Sequence, residues 1–274
     1  MKTNVYTLIT GASEGFGKAL AIECASRKMN LILVALPGTG LNCFVEMLKQ
    51  KYAIEAVGIE MDLSVDGNCN LVFQTIKNKK LAVNMLINNV GIGSTMLFEE
   101  GSIEFFQRQI KINIMTTTVM TYLFLQDLKK HSPGYILNVG SLSCFFYLMK
   151  KQVYGATKSY VYSFSKSLRR ELDSELINVS VICPGPMNTN KTVTAINESF
   201  NWLTRMSTMN PEEVAPIAIE GLLKRKEVIV PGKLNKLFLF FDMMIPSFLK
   251  DFLTGLQMRN IQSVTSMENN LCKN

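Results

Sequence analysis

Tyr154 and Lys158 stand four residues apart in a segment of helical periodicity, so one turn carries a phenol and an ammonium to the same face. A free phenol titrates near pH ~10 and is a poor base at neutral pH. A cation within about 4–6 Å favours the phenolate and draws the group towards the working range of a general acid or base. The spacing alone decides nothing, because Tyr147/Lys151 and Tyr162/Lys166 repeat it. A second cluster with chemical content lies near the N-terminus, where Thr10-Gly11-Ala12-Ser13-Glu14-Gly15-Phe16-Gly17 follows a strand-like run and leads into Lys18-Ala19-Leu20-Ala21. Glycines at such a junction allow a tight turn and close approach of backbone to a pyrophosphate, and the free N–H groups of the helix start attract its charge. A glycine-rich turn also describes an ordinary strand–helix connection; its place at the first such junction favours dinucleotide binding.

These residues need a frame, and the hydrophobic pattern supplies one. Short apolar runs near 5–10, 30–35, 55–60, 83–88, 134–140, 178–183 and 227–230 predict strands. Several, such as Leu31-Ile32-Leu33-Val34-Ala35, are continuously apolar, as strands buried on both faces are. Helical segments are predicted near 15–28, 40–51, 66–79, 101–130, 152–174, 190–207 and 211–224, the last opened by Asn210-Pro211-Glu212-Glu213. Alternation of this kind is an α/β fold, a single doubly wound parallel sheet of about seven strands flanked by helices, with ligands at the carboxyl ends of the strands. No linker, low-complexity tract or repeat interrupts the 274 residues, so one domain over 1–274 is expected.

Composition narrows the classes. The net charge of +7 is spread over short clusters such as Lys224-Arg225-Lys226, which reads as solvated helix ends, and no nucleic-acid partner is expected. The six cysteines (24, 43, 69, 144, 183, 272) contain no CxxC pair and read as reduced thiols of a cytoplasmic protein. The N-terminus shows no secretion signal. His131 is the sole histidine, at a helix end, which argues against a Ser-His-Asp hydrolase or a histidine-ligated metal site, and no metal is expected.

The glycine spacing Gly11-x-x-x-Gly15-x-Gly17 resembles that of the short-chain dehydrogenase/reductase family, NAD(P)-dependent oxidoreductases of Rossmann-type fold. Further motifs follow in that family's order: Met61-Asp62-Leu63 after strand three, Asn88-Asn89-Val90-Gly91 after strand four with Val90 where the family has alanine, and Pro184-Gly185-Pro186-Met187-Asn188-Thr189 after strand six. The family places a serine thirteen residues before its tyrosine; Ser141 has that offset from Tyr154, whereas Gly134 and Met149 occupy it for Tyr147 and Tyr162. The resemblance implies that Tyr154 is the proton donor or acceptor and that Lys158, with an oxidised nicotinamide, favours tyrosinate and bonds the nicotinamide ribose. It implies that Ser141, with Ser143 as the fallback, stabilises charge on the substrate oxygen, and that Asn113 holds a water leading from Lys158 to solvent. It further implies a cofactor site of Gly11, Ser13, Glu14, Gly15, Phe16, Gly17, Asp62, Leu63, Asn89, Gly91, Tyr154, Lys158, Pro184, Gly185 and Thr189. In it Asp62 holds the adenine amino group, Asn89 and Gly91 lie along the adenosine ribose, Thr189 bonds the carboxamide, and Asn88 braces the sheet.

Strand two ends in Ala35-Leu36-Pro37-Gly38, without the acid that suits NAD, while Glu14 and the lack of an arginine withhold the usual support for NADP. NADP is the expected cofactor, with NAD the alternative. The segment 185–210, with Phe200, Trp202, Leu203, Met206 and Met209, is expected to be a substrate lid. An apolar extension over 233–262 follows; within it, 234–256 is expected to cover the pocket or an interface, or to touch a membrane peripherally beside Lys233, Lys236 and Lys250. The end of the chain also resembles the branch of 3-ketoacyl reductases and hydroxysteroid dehydrogenases, which implies a bulky apolar ketone or 3-oxoacyl substrate. The family's subunit interface implies a homodimer or homotetramer through the long helices. A non-catalytic dinucleotide-binding sensor or scaffold is the alternative reading.

Overall fold

The computed structural model describes residues 5–189, 193–194 and 202–244. Seven strands form one sheet: β1 (Val5–Thr10), β2 (Asn30–Ala35), β3 (Ala56–Glu60), β4 (Ala82–Asn88), β5 (Gly134–Val139), β6 (Ile177–Ile182) and β7 (Val228–Ile229). All pairings are parallel, in the order β3-β2-β1-β4-β5-β6-β7. The order reverses between β1 and β4, and a ligand crevice in such a sheet opens at that point.

The helices are α1 (Gly15–Ser26), α2 (Leu41–Tyr52), α3 (Asn68–Asn78), α4 (Ile103–Ile110), α5 (Thr116–Lys130), α6 (Gln152–Glu171), α7 (Trp202–Ser207), α8 (Pro211–Leu223) and α9 (Lys233–Met244). Alternate strand residues feed two cores. Ile9, Leu31, Leu33, Met85 and Ile87 pack with α1, α2 and α8, whereas Leu8, Ile32, Val34, Leu86 and Ile136 pack with α3 and α5. Burial on both faces is why strands such as β2 lack polar alternation. Helix α8 starts as its sequence foretells, with Pro211 in the first turn and a capping box between Asn210 and Glu213.

The helix predicted over 101–130 differs in one respect: α4 and α5 are joined by a π turn, Lys111–Met115, with Asn113 at its centre. Such turns insert a residue into the helical ladder. The helix predicted over 190–207 lies mostly outside the described residues; residues 193–194 and α7 are its described helical parts. The chain divides into two compact units, Met1–Asn235 and Lys236–Asn274, and of the second only 236–244 is described. Phe200 and residues 245–262 therefore lie outside the description, and of Trp202, Leu203, Met243 and Met244 only the backbone is described.

Candidate active site

The glycine turn between β1 and α1 is built by exclusion. Gly11 and Gly15 have φ of +66° and +52°, the region glycine tolerates. A Cβ on Gly17 would fall 1.9 Å from the Gly11 carbonyl oxygen, and one on Gly15 would fall 3.1 Å from Thr189 Cβ. The turn is thus a concave backbone surface that side chains would fill, followed by the free N–H groups of α1. Both features fit a pyrophosphate. The Phe16 and Leu63 side chains are buried in the two cores, so only their backbone can meet a ligand. Glu14, at the N-cap of α1, is exposed and makes no capping bond.

Polar side chains tie this turn across the point where strand order reverses. Thr10 Oγ1 accepts the Asn89 and Val90 N–H groups, each at 3.1 Å, and Asn89 Nδ2 donates to the Thr10 and Gly11 carbonyls at 2.9 and 3.0 Å. The Asn89 amide thus holds the glycine loop. Asn88 Nδ2 donates to Thr121 Oγ1 and Asn138 Oδ1, bracing β4 against α5 and β5. Asp62 Oδ1 accepts from the Ser64 N–H and hydroxyl at 2.9 and 2.7 Å. Burial alone would raise its pKa; the Ser64 bonds and the nearby Arg108 outweigh that and hold it below the ordinary value.

At the ends of β5 and β6 the acid–base group assembles. Lys158 is buried and its Nζ donates to the Val139 carbonyl at 2.8 Å and lies 5.8 Å from the Tyr154 ring centroid. The Ser141 hydroxyl faces the Tyr154 phenol and accepts the Ser143 N–H at 3.1 Å. Ser143 Oγ is buried without a hydrogen-bond partner. Asn113 Oδ1 accepts the Ile92 N–H, and its Nδ2 donates to the Ile92 carbonyl and to Thr157 Oγ1. The amide therefore clamps the loop after β4 to α6, and its side-chain atoms are engaged by protein. Gly91 sits between this amide and Lys158, at 3.1 and 3.4 Å from a Cβ built on it. Pro184 accepts the Leu142 N–H at 2.9 Å, and Gly185 packs against the buried Asn235 so closely that a Cβ would lie 2.7 Å from that amide.

Burial governs titration at this group. Burial pushes the Tyr154 phenol above its ordinary value, the Ser141 hydroxyl opposes this, and the nearby Cys144 and Cys183 add to the rise. Lys158 is itself lowered by burial, to about 8, and so remains the ammonium of this group at neutral pH. The protein alone thus holds the phenol protonated, and a further positive charge is needed to draw the proton off. Of the competing Tyr-x-x-x-Lys pairs, Tyr147 is 91% exposed, and Lys166 donates to the Tyr162 hydroxyl at 3.4 Å while also facing Glu227 at 3.9 Å. Lys151 instead lies 5.4 Å from the Tyr154 ring centroid while bonding Ser94 O and Thr95 Oγ1. Among residues the sequence reading passed over, Thr157, Gln109 and Asn235 are buried polar groups that shape this site.

Residues 6–199 match the family model described as short chain dehydrogenase. The chain belongs to that family. It is an oxidoreductase acting between CH–OH and C=O groups. It is 29% identical over 217 residues to a 3-oxoacyl-acyl-carrier-protein reductase of Aquifex aeolicus, covering 78% of this chain and 88% of the relative. An NADP-dependent 3-hydroxy acid dehydrogenase of Schizosaccharomyces pombe is 28% identical over 233 residues, 83% of this chain and 90% of the relative. A solved short-chain dehydrogenase from Sphingobium yanoikuyae, in complex with NADPH, shares the fold with a TM-score of 0.75 at 24% identity, over 94% and 95% of the two chains.

Proposed function

We propose that this short-chain dehydrogenase transfers hydride between a nicotinamide dinucleotide, NADPH in preference to NADH, and the carbonyl of a bulky apolar ketone or 3-oxoacyl substrate. The convergence of Tyr154, Lys158 and Ser141 beside the glycine turn carries the reading. Gly11, Ser13, Gly15, the Phe16 N–H, Asp62, Gly91, Lys158 and Thr189 would hold the dinucleotide, with Gly185 at the nicotinamide end. When bound, that group supplies the hydride and, oxidised, the positive charge that Tyr154 lacks. In the direction of reduction Ser141 donates to the substrate oxygen and stabilises the charge that develops there. Tyr154, held protonated by burial, gives its proton to that oxygen. Lys158 follows as the nearby ammonium that steadies the phenolate, and Asn113 fixes the loop that closes over it.

The substrate class rests on the apolar composition of segment 185–210 and on relatives that handle 3-oxoacyl and 3-hydroxy acid compounds. The preference for NADPH rests on the lack of an acid at Leu36-Pro37-Gly38 and on the NADP named for one relative. Self-association is supported by the outward faces of α5 and α6, where Tyr122 is 78% exposed and Tyr160 stacks on Phe164. No helix among the described residues is long and apolar enough to cross a membrane. Peripheral contact through α9 is supported by the exposed Phe240 and Phe241.

The test is fluorescence titration with NADPH and NADH, then turnover on ketones and 3-oxoacyl thioesters, with Tyr154→Phe as control. Turnover should fall by about 10²–10⁴-fold in the variant while dinucleotide affinity is kept. Tight binding without turnover on any carbonyl would refute the catalytic reading in favour of a sensor.

A further inference from the structure

Beside the acid–base group lies a second pair of nucleophiles that the proposed reaction does not use. Cys144 and Cys183 approach to 3.8 Å between Sγ atoms, although 39 residues separate them in sequence. Cys144 closes the short turn Leu142–Cys144 that Ser141 opens, and Cys183 lies between β6 and Pro184. Backbone bonds bind these two strand ends to each other: the Gly140 N–H donates to Ile182 O at 2.7 Å and the Leu142 N–H to Pro184 O at 2.9 Å. A third holds Cys183 to β7 through Ile229 O at 2.8 Å. The thiols are thus held face to face by the sheet and not by chance side-chain rotation.

Their surroundings are apolar, with Val161 and Val181 packed against them, and Lys158 is the charged group facing both. Among the described residues no cluster of histidine, cysteine and acidic side chains could hold a metal ion. Cys183 is fully buried and Cys144 half-buried, so Cys144 is the member of the pair nearer to solvent. An accessible cysteine with a resolving partner beside it is the arrangement of a redox-responsive pair.

We propose that Cys144 and Cys183 form a thiol switch, closed by a hydroperoxide into a disulfide that disables the site. Cys144 sulfur attacks the peroxide O–O bond, which breaks; the sulfur becomes a sulfenic acid, and the departing oxygen leaves as water, or as the alcohol from an alkyl hydroperoxide. Cys183 sulfur then attacks the sulfenic sulfur, forming the S–S bond and releasing a second water. Two thiols lose two electrons and two protons, and one peroxide takes them up. Closing the gap from 3.8 Å to a bond of about 2.0 Å ties the turn after Ser141 to the strand end before Gly185 and draws the two together. Misplacement of a catalytic group by about 1 Å costs on the order of 10²-fold in rate. The loss of turnover rests on the proposed oxidoreductase reading; formation of the bond does not.

The experiment treats the full-length protein with hydrogen peroxide, blocks remaining thiols with N-ethylmaleimide, and maps peptides by mass spectrometry alongside NADPH-dependent turnover. A Cys144–Cys183 cross-linked peptide should accumulate as turnover falls by about 10²-fold, and dithiothreitol should reverse both. Cys144→Ser should keep the basal turnover and lose the reversible inactivation, and Cys183→Ala provides a second variant should the first fold poorly. Oxidation of the exposed Cys43 without any Cys144–Cys183 peptide would overturn the switch, as would a complete cross-link with turnover unchanged. Reduced protein that forms the cross-link but turns over no carbonyl would instead count against the proposed function alone.

Discussion

Gly17→Ala tests the glycine turn most sharply, because the added methyl meets backbone and not a yielding side chain. Its Cβ would lie 1.9 Å from Gly11 O and 2.5 Å from Asn89 Nδ2. An ordinary C···O contact is about 3.3–3.6 Å, so the turn must open by about 1.5 Å. Overpacking of this kind costs about 1–3 kcal/mol. The movement also breaks the two Asn89 amide bonds to Thr10 and Gly11, at about 1 kcal/mol each. The sum is about 3–5 kcal/mol, which in a chain of this size lowers Tm by on the order of 10 °C. Displaced N–H groups at the start of α1 should weaken NADPH binding by about 10²-fold, roughly 2.7 kcal/mol. Thermal unfolding followed by circular dichroism, with and without NADPH, and a fluorescence titration give both numbers. A variant that melts within 2 °C of the parent, or binds NADPH with unchanged Kd, refutes the packing argument.

Gly155→Ala makes the contrast: its Cβ meets only Ser143 O at 3.5 Å inside α6, and urea unfolding should show a gain of about 0.5–1 kcal/mol. Lys158 is lowered to about 8 from 10.5, so the unfolded chain binds the extra proton between these values and folding gains stability as pH rises through that window. The buried thiols of Cys24 and Cys183, raised above 9.0, act in the opposite sense above pH 9, which makes the difference between parent and Lys158→Met the quantity to measure. That variant should be more stable by on the order of 2 kcal/mol at pH 7, after about 1 kcal/mol for the lost Val139 bond, with the advantage shrinking towards pH 10 in denaturant titrations. Asn113→Ala frees Ile92 and Thr157 and should cost about 2–4 kcal/mol of stability, with turnover falling more than NADPH affinity. Thr10→Val leaves the Asn89 and Val90 N–H groups without their acceptor and should cost about 2 kcal/mol, read by the same unfolding assay.

Much of this fold is legible because strands such as β2 are buried on both faces and so carry unbroken apolar runs. Tyr154 could be separated from Tyr147 and Tyr162 only through the offset to Ser141, and that offset reflects the turn joining β5 to α6. The π turn was not legible: five residues are too few for a hydrophobic period to distinguish it from α-helix, and Asn113 stood out by resemblance alone. Side-chain direction was hidden too: Phe16 and Leu63 turn their side chains into the two cores. The direction of the Tyr154 shift depends on competition between desolvation and neighbouring groups, and spacing carries no measure of depth. Cys144 and Cys183 meet only through the parallel register of β5 and β6, which no local pattern encodes.

The π turn at Lys111–Met115 also sets the phase of everything after it. An α-helix turns by about 100° per residue, so removing one residue there would restore a regular ladder and rotate α5 about its axis by roughly that angle. Met120, Phe124 and Leu128, all fully buried and spaced by four, would leave the sheet and face water. The segment therefore acts as a one-tooth gear between the site and the core. Point substitutions elsewhere in α5 trade one contact for another, but a single-residue deletion between Lys111 and Met115 exchanges the entire inward face at once.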